Sequence, residues 1–202
     1  MSEEQAIGIM GGTFDPIHYG HLMLADCALD QFKLEQVIFV PSANPPHKFN
    51  KKITPVEMRY EMTLLATMDN PYFTVSKVEM KRPGSSYTID TVKYFRERYP
   101  EYQIYFITGA DTILEIDTWK SPNELMQIVY FIAAVRPGYS FERLEKEFYQ
   151  KYRDRIFFLE MPEIGISSTD IRNRIKAGKT IKYQVHPAVE AYIKKYQLYL
   201  KE

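Results

Sequence analysis

The chain has 202 residues, 45% of them apolar, and its 26 lysines and arginines balance 26 aspartates and glutamates. That length supports one sizeable core, and the charge balance excludes a generic binder of polyanions, so neither nucleic acid nor a membrane surface is an expected partner. One cysteine, Cys27, rules out an internal disulfide, no apolar run reaches the roughly 18 to 20 residues of a membrane span, and no signal peptide precedes the first strand, which together read as a cytoplasmic protein.

Strand-like and helix-like runs alternate along the chain. Ala6 to Met10 reads as a strand and Leu22 to Phe32 as a helix. Gln36 to Pro41 is a second buried strand, stopped by its proline. A long loop follows, Ser42 to Lys52, stiffened by Pro45 and Pro46 and charged by His47, Lys48, Lys51 and Lys52. It suits a binding loop or lid as well as a solvated connection. Thr54-Pro55-Val56-Glu57 predicts a capping box with proline at the first helical position, and Phe73 to Met80 alternates as a strand. Ser86 is the expected cap of a helix whose inner stripe is Ile89, Val92 and Phe95.

Gln103 to Thr108 is the next buried strand, ending at Gly109-Ala110-Asp111. Ser121-Pro122-Asn123-Glu124 repeats the capping-box pattern before Leu125. Val129 to Val135 and Arg155 to Leu159 supply the remaining strands. Two helices close the chain, Ser168 to Ala177 with Gly178 as its stop, and Pro187 to Leu200 capped by His186. This order predicts an α/β fold with a doubly wound, mostly parallel sheet covered by helices on both faces. With no repeat and no linker, residues 1–202 read as one domain with a helical C-terminal part from about residue 165.

The chemistry concentrates in two segments. Gly11-Gly12-Thr13-Phe14-Asp15-Pro16-Ile17-His18-Tyr19-Gly20-His21 places a glycine turn between a strand and a helix start, where free backbone N–H groups and the helix dipole attract anions. His18 and His21, three residues apart, share that helix face. No Gly-Lys-Ser/Thr follows, so this is no Walker A loop, and the glycine spacing misses the dinucleotide fingerprint. A zinc pair is the other reading of the histidines, but a cysteine cluster and further nearby histidines are missing from the sequence. The second segment, Gly165-Ile166-Ser167-Ser168-Thr169-Asp170-Ile171-Arg172, reads as a helix capped by Ser167 or Ser168, with Arg172 one turn inside to fork onto the same anion. Alone it is an ordinary capped helix; beside the first it is a second phosphate cradle.

Together these segments resemble the nucleotidylyltransferase superfamily, with its His-x-Gly-His signature near one end and Ile-Ser-Ser-Thr-x-x-Arg near the other. The closest likeness is to the bacterial nicotinate-nucleotide adenylyltransferases, and it runs through Pro41-Ser42, Pro45-Pro46-His47-Lys48, Arg59, Ser86-Tyr87-Thr88, Gly109-Ala110-Asp111, Trp119 and Arg136-Pro137. Lys120 departs from the pattern, since many relatives have an aromatic residue or histidine there. The resemblance implies a Rossmann-like fold and transfer of AMP from ATP to nicotinate mononucleotide, with Mg²⁺ carried on the ATP phosphates rather than in a protein cage. It implies catalytic roles for His18, His21 and Arg172. Gly11, Gly12, Thr13, Phe14, Gly109, Asp111, Ile166, Ser167, Ser168 and Thr169 would hold ATP. Lys48, Tyr87, Thr88, Trp119, Lys120 and Arg136 would hold the mononucleotide, Trp119 by stacking on its pyridine ring.

Three other functions stay open at this level: transfer to phosphopantetheine, transfer to the amide form of the mononucleotide, or nucleotide binding without turnover. Cys27 reads as helix packing, and Tyr192, Tyr196 and Tyr199 form a helical stripe suited to core packing or to contact between copies, leaving a homo-oligomer open.

Overall fold

The computed structural model of the protein describes residues 5–46, 52–135, 147–162 and 164–200. Among these residues six strands, β1 (Ala6–Gly12), β2 (Gln36–Pro41), β3 (Phe73–Val75), β4 (Gln103–Gly109), β5 (Tyr130–Val135) and β6 (Ile156–Glu160), form one sheet in the order β3-β2-β1-β4-β5-β6. Every pairing is parallel. The order reverses between β1 and β4, so a crevice opens at their carboxyl ends, where open parallel sheets bind ligands.

The helices are α1 (Tyr19–Gln31), α2 (Val56–Thr67), α3 (Thr88–Arg98), α4 (Ala110–Ile113), α5 (Pro122–Ile128), α6 (Glu147–Tyr152), α7 (Ser168–Lys176) and α8 (Pro187–Lys195). Period-2 alternation along β1 explains the two layers. Ile7 and Ile9 point to one face and join Ile89, Val92 and Phe95 of α3 and Leu125 and Met126 of α5. Ala6 and Met10 point to the other and join Leu24 and Ala28 of α1, Met62 and Ala66 of α2, Ile171 of α7 and Val189 and Ile193 of α8. The sheet is doubly wound and covered on both faces, as the sequence predicts. At Gly8 a Cβ would stand 2.7 Å from Ile107 Cδ1, so that strand position has no room for a side chain.

Several local readings need correction. The strand expected over Phe73 to Met80 is three residues long, because the chain turns after Val75 and sends Glu79 inward. Neither capping box forms. Pro55, not Thr54, is the N-cap of α2. Ser121 makes no side-chain cap bond, and Glu124 pairs with Lys93 at 2.6 Å. Ser86 does not cap α3, whose N-cap is Tyr87; its Oγ instead accepts from Asn44 N at 3.0 Å and ties the loop after β2 to the α3 entrance. The last helix ends at Lys195, so Tyr199 leaves the expected stripe and turns back into the protein. Gly178 does stop α7, at φ 66°, with its N–H and that of Lys179 bonding back to Ile175 and Arg174 carbonyls.

Candidate active site

β1 must end in glycines because two aromatic rings close over it. A Cβ on Gly12 would sit 2.7 Å from the Phe14 ring, and one on Gly11 would sit 3.0 Å from Phe106. Phe14 itself takes a left-handed φ of 48°, costly for a residue with a Cβ, and its buried ring packs on Phe39 and edge-on to His21. This turn delivers the chain to α1 with His18 as N-cap and His21 one turn in.

The two imidazoles stack, centroids 3.7 Å apart. His18 N donates to His21 Nδ1 at 3.3 Å, so a neutral His21 carries its proton on Nε2. His18 is buried, and burial drives its pKa from 6.5 down to about 4, leaving a neutral ring near pH 7. Its Nδ1 is buried and takes no protein partner among the described residues. Gly20 leaves room for this ring, since a Cβ there would lie 3.0 Å from His18 Nδ1.

The second segment reaches the same loop. Ser167, the actual N-cap of α7, accepts from Asp170 N at 3.0 Å. Ser168 Oγ donates to Pro16 O at 2.9 Å, and Arg172 donates from Nη1 to Asp15 O at 2.7 Å and from Nη2 to Thr169 Oγ1 at 3.1 Å. Two segments more than 140 positions apart in the chain therefore meet at the Asp15–Pro16 backbone.

Two cavities open by the carboxyl ends of β1 and β4, and neither is lined by Ser167, Ser168, Thr169 or Arg172. One, about 480 Å³, is lined by His18, His21, Gly109, Asp111, Met161 and Ile166 among others. The second, about 500 Å³, is lined by Gly11, Gly12, Thr13, Tyr87, Thr88, Trp119 and Lys120 among others. The end of β4 and the start of α4 divide them: Thr108 and Thr112 face the second, Gly109, Ala110 and Asp111 the first. Trp119 stands edge-on to Phe106 and Phe131 and borders the second cavity. Lys120 Nζ lies 4.5 Å over the Tyr87 ring and 3.3 Å from Asp90, which parks its charge at the α3 entrance. Lys48 and Arg136 lie outside the described residues.

Arg59 was visible in the sequence only as part of a resemblance, yet it organises the rim. It is 1% exposed. It donates to Thr54 O at 2.8 Å, Thr13 O at 2.6 Å and Ser42 O at 2.7 Å. Burial lowers its pKa and nearby Asp15 opposes that shift. Glu79 is a second missed residue. Its carboxylate accepts from Thr91 Oγ1 at 2.7 Å and Ala43 N at 3.4 Å, bracing the α3 wall of the second cavity against the loop after β2. In the structure Arg59 shares the inner stripe of α2 with Met62, Thr63 and Ala66.

Residues 9–174 match the model of the cytidylyltransferase-like family. The chain is similar to the protein named probable nicotinate-nucleotide adenylyltransferase in Thermoanaerobacter sp. (strain X514), 52% identical over all of this chain and 98% of that one. The protein of the same name in Moorella thermoacetica is 56% identical, covering 96% of this chain and 91% of that one. Among solved structures, the Plasmodium falciparum nicotinic acid mononucleotide adenylyltransferase complexed with NaAD superposes with a TM-score of 0.80 at 25% identity, covering 96% of this chain and 97% of that one.

Proposed function

This chain belongs to the cytidylyltransferase-like family, on its nicotinate-nucleotide adenylyltransferase branch, and from that premise we propose that it transfers AMP from ATP to nicotinate mononucleotide in NAD biosynthesis. The observation that supports the reading most is a pair of cavities on either side of the β4 end and the α4 start, one bordered by His18 and His21 and the other by the Gly11–Thr13 turn. A transferase that joins two nucleotides needs two such seats and one shared point.

In this reading ATP enters the His18 cavity, its ribose beside Asp111. The mononucleotide enters the Trp119 cavity, pyridine ring on the indole and ring carboxylate toward Tyr87, Thr88 and Lys120. An oxygen of the acceptor phosphate forms the new bond to the α-phosphorus, the bond from that phosphorus to the oxygen bridging to the β-phosphate breaks, and pyrophosphate leaves. The nucleophile is already an anion, so no general base is needed, and catalysis reduces to alignment and stabilisation of charge. His21 Nε2–H and the buried His18 ring would donate to the α-phosphate and bridging oxygens. Gly12 and Thr13 would let backbone approach the phosphates, while Ser167, Ser168, Thr169 and Arg172 would receive the β- and γ-phosphates. Lys48 and Arg136 would add positive charge.

Among the described residues no group of three or more histidine, cysteine, aspartate or glutamate side chains is arranged to hold a metal. The donor set is one of N–H and O–H groups suited to phosphate oxygens. Mg²⁺ enters this reading as the counter-ion that would arrive with ATP.

The test is pyrophosphate release from ATP with three acceptors offered separately: nicotinate mononucleotide, its amide and phosphopantetheine. The first is expected to be the preferred acceptor. Equal or faster turnover with either of the others overturns the assignment, and binding of ATP with no release for any acceptor reduces the chain to a binding module.

A further inference from the structure

The loop between β1 and α1 is held from several sides through its carbonyls. Arg59 takes Thr13 O, Arg172 takes Asp15 O and Ser168 takes Pro16 O. One group in this loop has a different partner. The Asp15 carboxylate, 5% exposed, accepts from Tyr199 OH at 2.7 Å through Oδ1 and from Thr54 N at 3.4 Å through Oδ2. Tyr199 lies beyond the end of α8 and reaches the loop across 184 positions of sequence.

The backbone is bent to bring it there. Gln197 at φ 52° is the left-handed residue that closes α8, as Gly178 closes α7, and Tyr199 at φ 66° takes the same unfavourable region beyond it. Leu198 N bonds back to Ile193 O at 3.0 Å, and Leu198 and Tyr199 pack on the core. Burial, and then the negative charge of Asp15, keep the Tyr199 hydroxyl protonated and a donor throughout the neutral range.

Resting on the adenylyl-transfer reading, we infer that Tyr199 is a positioning residue of the phosphate site: it occupies the Asp15 carboxylate and so keeps Arg172 available to a polyphosphate. Arg172 already donates to the main-chain oxygen of Asp15, so its guanidinium stands beside that residue, whereas Arg59, which also feels the Asp15 charge, is committed to the carbonyls of Thr54, Thr13 and Ser42. Released from the phenol, a carboxylate this buried must find a charged partner, and a bidentate arginine is the strongest on offer. The competition would fall on ATP and not on the mononucleotide, which binds on the other side of Gly11–Thr13.

The experiment compares the full chain with Tyr199→Phe and with Tyr199→Phe combined with Asp15→Asn. ATP affinity is measured by calorimetry and turnover by pyrophosphate release. Tyr199→Phe is expected to weaken ATP about 10-fold, the size of one hydrogen bond to a charged group, with KM for the mononucleotide within about twofold. Adding Asp15→Asn removes the competing charge and is expected to restore most of the lost ATP affinity. Wild-type ATP affinity in Tyr199→Phe, equal losses for both substrates, or no recovery in the double variant would each overturn the inference. Should the full chain bind ATP yet release no pyrophosphate, the proposed function falls, and the calorimetric comparison still decides the role of Tyr199.

Discussion

Replacing His18 with threonine tests the burial of this histidine through stability alone. Threonine is a good N-cap, so α1 keeps its start while the titrating group is lost. In the folded chain His18 has a pKa near 4, against 6.5 for an ordinary histidine, because its ring is out of water. Between those values the unfolded chain takes up a proton that the folded chain refuses. The stability at stake is therefore fully present above pH 6.5 and drains away as pH falls toward 4. The whole span is worth about 3 kcal/mol, and stopping at pH 5 exposes about 2 kcal/mol of it. Urea unfolding followed by the fluorescence of Trp119, the single tryptophan, measures this at pH 7 and pH 5. Wild type is expected to lose about 2 kcal/mol more than His18→Thr over that step, with all other groups cancelling in the difference. Identical losses in the two proteins would show that His18 is solvated in the folded state, and the account of a dry imidazole over the phosphates would fail.

Three further substitutions separate positioning from chemistry. His21→Ala is expected to lower single-turnover adenylyl transfer by about 10²-fold or more in a chain that still unfolds cooperatively in urea, as the loss of a transition-state donor would. Arg59→Met leaves the carbonyls of Thr13, Ser42 and Thr54 without their donor and should cost about 3 to 5 kcal/mol in urea unfolding. Trp119→Ala should raise KM for nicotinate mononucleotide roughly 10-fold with KM for ATP unchanged, as expected from the loss of one stacked ring; a change in the ATP value instead would put the indole on the wrong side of the β4 end.

Core patterning was readable because it is local. Apolar runs of four to seven residues bounded by glycine or proline mark β1, β2, β4 and β5, and the sheet places all four in its centre. Errors fell where side chains reach across the chain instead of along it. Thr54, Ser86 and Glu124 carry capping letters, yet each spends its hydrogen bonds elsewhere: Ser86 on Asn44, Glu124 on Lys93, and the Thr54 backbone on Asp15 and Arg59. A capping box is worth about 1 kcal/mol, and a loop tether or ion pair offers as much, so local spacing cannot decide between them.

The candidate site divides along the same physical line. Both motifs sit at helix starts and strand ends, where glycine, serine and histidine have few other reasons to cluster, and were legible for that reason. The groups that hold those motifs in place carry no such signature. Arg59 is one letter in an α2 stripe, and Tyr199 one tyrosine among sixteen, with a spacing from Tyr192 and Tyr196 that imitates a continuing helix. The left-handed turns at Gln197 and Tyr199 break that periodicity, and neither residue is a glycine that would have announced it. Left-handed backbone at these non-glycine positions is invisible in sequence because other contacts hold it, the α8 cap bond from Leu198 N to Ile193 O at Gln197 and the buried carboxylate of Asp15 at Tyr199. The residues hardest to read are thus those whose conformation is set by the site, whereas the readable ones set the site themselves.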